Sequence, residues 1–153
     1  MRQIYKNEQL EYSIANFGSV PYGHSVYGTV FLSNPLDACH DLKPLNWEKN
    51  QGTLIIYAQR GNCHFAQKVL NAQKIGAGLV IIGDTNNEDV HKILPVERTT
   101  QLMNQIRIPS VLIMKKDADH FTNVLNSDNH TLTLAIHFPL TKANDVASIK
   151  MIL

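Results

Sequence analysis

The sequence predicts a fold that mixes strands and helices within one domain, on three observations. Two short apolar runs rich in β-branched residues, TLIIYA at 53–58 and GLVIIG at 78–83, bracket a stretch with helical periodicity. A third run, IPSVLIM at 108–114, is followed at once by a second amphipathic helix pattern. With 153 residues, 44% apolar and 18% charged, the chain has the length and composition of a globular unit with one core.

In chain order, residues 4–17 alternate loosely and read as one or two strands. VPYGHSVYGTVFLSNP at 20–35 has glycines, flanking prolines and β-formers, the signature of a turn followed by a strand. Residues 36–52 read as a loop carrying Cys39 and the lone tryptophan, Trp47. TLIIYA is a buried strand. In CHFAQKVLNAQKI, Phe65, Val69 and Ala72 share a face, with Ala66, Leu70 and Ile75 beside it. Gln67, Lys68, Asn71 and Lys74 fall mostly elsewhere, so the stretch reads as a helix of about three turns. Asn62 is placed to be its N-cap and Gly76 its stop. Residues 53–83 thus form a strand-helix-strand unit, with parallel strands and a right-handed crossover expected. Residues 84–107 are a long polar loop of the kind that often carries function. Asp84, Glu88 and Asp89 within it read as solvated. IPSVLIM is a third buried strand, and KKDADHFTNVLN a helix with Ala118, Phe121, Val124 and Leu125 on one face. HTLTLAIHF at 130–138 alternates like an exposed edge strand, with His137 half-buried. His24, His91, His120 and His130 read as surface residues.

Composition excludes several functions. Lys plus Arg number 14 against 13 Asp plus Glu, which leaves no basic field for a phosphate backbone and argues against nucleic acid. No apolar run approaches the ~20 residues of a membrane span, and MRQIYKNEQLEYS lacks the apolar core of a signal peptide.

The chemistry concentrates in RGNCHF, residues 60–65, between a strand and a helix start. A single glycine there fits neither dinucleotide nor P-loop spacing. Cys63 near a helix N-terminus, beside Arg60 and His64, would have a lowered thiol pKa if free. His64 is its chain neighbour, however, a poor geometry for a catalytic dyad. The pairs Cys39-His40 and Cys63-His64 lack zinc-ligand spacing. Free thiols and a disulfide closing a loop of roughly 24 residues both remain open from the residues alone. A grip without chemistry is the fourth reading: helix-start amides and the forked guanidinium of Arg60 would accept a carboxylate or a carbonyl-rich segment. The competing reading has Arg60 paired with an acid of its own domain. His64, beside this notch, has a side chain that ordinarily titrates near ~6.5, so its charge would follow compartment pH.

RGNCHFAQKVLNAQKIGAGLVIIGD resembles the central motif of the protease-associated (PA) domain, most closely the luminal domain of vacuolar sorting receptors. YGTVFLSNP, Cys39 and IPSVLIMKKDADHF fall in the family's order, and the likeness covers residues 17–138 of a single domain spanning 1–153. The resemblance implies an α+β fold of two packed β-sheets, partly barrel-like, flanked by helices. It implies a Cys39–Cys63 disulfide. It also implies a module without catalytic residues, cofactor or metal, which holds a protein or peptide ligand such as cargo. The family's Arg-Gly-x-Cys-x-Phe motif matches at Arg60, Gly61, Cys63 and Phe65, so Arg60 is the expected grip, with Gly61, Asn62 and His64 around it and Phe65 in the core. Asn62 stands where the family commonly has Asp, which removes a charge from the rim. The expected setting is a membrane-anchored protein of the secretory pathway or cell surface, either a sorting receptor or a RING-type ubiquitin ligase, or else a peptidase accessory domain. Asn129-His130-Thr131 has the N-glycosylation pattern, which makes Asn129 a candidate acceptor.

Overall fold

The strongest β-formers build the centre of the sheet. In the computed structural model, which describes residues 5–6, 10–90, 100–127, 132–140 and 149–152, β4 (Thr53–Gln59) and β5 (Leu79–Gly83) are adjacent and parallel. All of β5 is buried, as expected of a strand covered on both faces. β3 (Ser25–Leu32) pairs parallel to β4, and β6 (Ser110–Ile113) parallel to β5. β2 (Tyr12–Ile14) adds antiparallel to β6. On the other side β7 (Leu132–His137), β8 (Ile149–Ile152) and β1 (Tyr5–Lys6) follow antiparallel, giving the order β1-β8-β7-β3-β4-β5-β6-β2.

The sheet curls. The Tyr12 hydroxyl on β2 donates to the carbonyl of His137 on β7 at 3.5 Å, although four strands separate them in the sheet order. The α+β, partly barrel-like fold expected is therefore present, its facing layers being parts of one continuous sheet. α3 (Lys115–Asn126) packs into the inner face, where Ala118 and Phe121 join Tyr57, Ile81, Ile113 and Phe138. α1 (Phe65–Lys74) covers the outer face with Val69 and Ala72 against Ile56, Ile82 and Leu112, and the short α2 (Thr100–Met103) packs Leu102 and Met103 nearby.

Three local expectations change. β7 is an internal strand, because β8 pairs along its outer side. His137 is exposed rather than half-buried, and its Nδ1 lies 2.9 Å from the Ser25 hydroxyl. His120 is partly buried rather than on the surface. The glycosylation candidate Asn129, with His130, and also His91 lie outside the described residues.

Candidate ligand-binding site

The RGNC segment forms a tight turn at the carboxyl end of β4. Arg60 N–H still donates to Gly83 O, extending the β4–β5 ladder by one bond. The chain then reverses: Cys63 N–H donates to Gly61 O at 2.9 Å, which closes a three-residue turn about Asn62. Asn62 has φ 66° and Gly61 φ 115°. Asparagine tolerates the left-handed region better than most residues, and glycine carries no Cβ to oppose it. Asn62 is thus a turn residue and not the helix cap. His64 is the N-cap of α1, and its side chain makes no capping bond. The stop signal is where expected: Gly76 follows the helix end with φ 96°.

Cys39 and Cys63 are bridged, with Cα atoms 5.7 Å apart. The bridge is one of several ties between this turn and the loop at 37–39. Asn62 Nδ2 donates to Asp37 Oδ2 at 3.0 Å, and Cys39 N–H donates to Asp37 Oδ1. These two donors, the Cys39 amide first, hold the Asp37 carboxyl below its ordinary pKa. Lys68 and Asn71, expected away from the apolar face of the helix, are both buried, Lys68 at 1% exposure. Lys68 Nζ donates to Asp37 O and Gly61 O, each at 2.6 Å, and Asn71 Nδ2 donates to Ala38 O at 2.9 Å. Burial lowers the Lys68 pKa, and the Asp37 charge opposes that shift. A buried ammonium is tolerated where carbonyl oxygens replace its water. Helix α1 thereby fastens both loops from below.

Arg60 is partly buried, its side chain 29% exposed. Its Nη1 donates to Asp84 Oδ1 at 3.1 Å and to Glu88 Oε2 at 2.8 Å, and its guanidinium carbon lies 5.6 Å from the centre of the Phe65 ring. Burial works against the guanidinium's charge, but the hydrogen bonds to Asp84 and Glu88 outweigh it and raise the pKa. Asp84 is buried, against the expectation of a solvated loop, and also takes the amides of Thr85 and Asn86 on Oδ1. The notch is therefore not an electropositive niche: two carboxylates answer one guanidinium. Both reach it through the same nitrogen, which among the described residues leaves Nη2 and Nε as donors for a ligand. Gly61, Asn62 and His64 are exposed around it, and Phe65 is partly buried as the floor under Arg60.

The structure thus gathers Arg60, Gly61, Asn62 and the disulfide at one place, with His64 on its rim. Sequence reasoning missed Asp37, Lys68, Asn71, Asp84 and Glu88. For Lys68 and Asn71 the signal was slight: two polar residues three apart, next to the apolar face.

Residues 23–121 match the family model described as the PA domain, and the chain belongs to that family. It is 29% identical over 115 residues to vacuolar-sorting receptor 5 of Arabidopsis thaliana, a match covering 74% of this chain and 19% of the receptor. It is 32% identical over 113 residues to the E3 ubiquitin-protein ligase RNF13 of Bos taurus, covering 71% of this chain and 29% of the ligase. Among solved structures, a zinc aminopeptidase from Bacillus subtilis shares the fold, with TM-score 0.55 and 18% identity over 90% of this chain and 33% of that one. The chain therefore corresponds to a minor part of each relative, the part that receptor-type and ligase proteins have in common.

Proposed function

We propose that this domain is a non-catalytic peptide- or cargo-protein-binding module, displayed on the luminal or extracellular side of a membrane-anchored sorting receptor. The observation that carries the reading is the build of the Arg60 turn. A disulfide, a buried lysine and three side-chain hydrogen bonds fix a short exposed backbone segment beside an arginine with donors to spare. Such preorganisation serves recognition, because a rigid loop loses little entropy when a partner docks. A carbonyl-rich ligand segment would take Nη2 and Nε, and an acidic one would displace Glu88, whose side chain is 40% exposed.

The test is calorimetry with candidate cargo peptides on the oxidised domain. Arg60→Ala is expected to weaken binding roughly tenfold or more, the scale of a lost charged hydrogen bond. Unchanged affinity would remove Arg60 from the site. The similarity to RNF13 supports a second context, the ectodomain of a RING-type ubiquitin ligase, at a similar level of identity. The sequence flanking this domain in the full-length protein discriminates: cysteine-rich modules mark a receptor, and a membrane span followed by a RING marks a ligase.

A further inference from the structure

A cavity of about 410 Å³ lies beside Asp84, lined by Tyr57, Gln59, Asp84, Asp119, Thr122 and Asn123 among others. That volume falls within the range of ligand sites, roughly 300–1,000 Å³. Its position is also that of a ligand site. It opens where the parallel strands β4 and β5 end, beside α3. α3, which follows β6, packs on the inner face and forms one wall of the cavity. In sheets with parallel strands, ligands bind outside the carboxyl ends of those strands.

The lining has a sign. Lys115, also in the wall, is bound to Asp119 Oδ2 at 2.7 Å. Asp84, with a side chain 0% exposed, gathers its donors on Oδ1, and Oδ2 has no donor among the described residues. Gln59 and Asn123 are exposed, so their amide oxygens are accessible acceptors. The strand-end region, with Arg60 and Lys115 facing Asp84, Glu88 and Asp119, carries more carboxylates than cations. Two cations answer three carboxylates there, which leaves one negative charge in excess.

We propose that this cavity is a subsite for a basic side chain, lysine or arginine. Asp119 and the amides of Gln59 and Asn123 make the contacts, and the buried Asp84 carboxylate sets the field. The natural occupant rests on the peptide-binding reading: it is a residue of the same polypeptide held at the Arg60 turn. Gln59 and Arg60 are chain neighbours, so residues a few places apart on one extended ligand reach both sites.

The probes are Nα-acetyl-arginine amide and Nα-acetyl-lysine amide, titrated into the ¹⁵N-labelled, oxidised domain, with the glutamate and leucine derivatives for comparison. Saturating shifts of the Thr85, Asp119, Thr122 and Asn123 amides are expected with the basic probes alone. Asp119→Asn, at a side chain 59% exposed, is expected to fold normally and to weaken the arginine probe about three- to fivefold, the upper range for an exposed ion pair. In Arg60→Ala the arginine probe still binds, because its contacts lie elsewhere. Equal shifts from the glutamate or leucine probe, no shifts from the basic probes, or undiminished affinity in Asp119→Asn would overturn the subsite. Cargo peptides that fail on the wild-type domain while the arginine probe saturates would sink the peptide-binding reading and leave the subsite standing.

Discussion

Lys68 does more structural work than its place in the sequence suggests. Its ammonium replaces water for two loop carbonyls, those of Asp37 and Gly61. Lys68→Met keeps the apolar stem but strands the Asp37 carbonyl and leaves Gly61 O with the Cys63 amide alone, and unfolding by urea should show a loss of about 1–3 kcal/mol, the cost of a buried group left unsatisfied. Asp37 gives a pH signature. Its folded pKa lies below the ordinary 3.8, so the stability it contributes is present above that value and is lost as pH falls through the lowered folded pKa. Thermal melts of Asp37→Asn are expected to show a shallower decline across that acid window than wild type. Arg60, Gly61 and Cys63 were legible in the sequence as a motif, because unusual residue types crowd one turn. The acids that meet Arg60 were not. Asp84 and Glu88 lie more than twenty residues away, and only the pairing of β4 with β5 brings them alongside.

Elements were legible where side-chain period and burial agree. α3 has the bounds of its amphipathic pattern, Lys115–Asn126, and β5, Leu79–Gly83, starts one residue into its run. The misreadings arose where tertiary contacts override local pattern. β7 alternates like an edge strand, yet a strand from residues 149–152 pairs along it, and no local signal announces so distant a partner. The disulfide belongs to this scale as well, since it joins the loop before β4 to the turn after it, 24 residues apart. The chain-entropy model gives such a closure about 3 kcal/mol, so urea titration of the Cys39→Ser/Cys63→Ser double variant should show a loss of that size. The hydrogen bonds around Lys68 remain in that variant, so the turn is expected to keep its shape in amide chemical shifts while the midpoint drops.

Across the molecule, one curled sheet supports two apolar layers, one under α3 and one under α1. Phe121 anchors the inner layer: it is fully buried and stacks on Tyr57 with ring centroids 5.9 Å apart. Phe121→Ala should cost about 3–5 kcal/mol in equilibrium unfolding, as truncation of a core aromatic does. The strand-helix-strand centre could be read from the order and period of its apolar residues, whereas the curl could not, because it depends on how β2 comes to face β7. At the margin of the sheet, Tyr5 sits opposite Ile152 and Lys6 opposite Met151, antiparallel. The first and last described residues, Tyr5 and Ile152, therefore lie side by side. A longer protein can carry this unit as a pendant, with both connecting segments at one point and the rest of the surface turned to the surroundings. A pull on those segments opens the β1–β8 contact one pair at a time, like a zip, rather than loading the whole sheet at once.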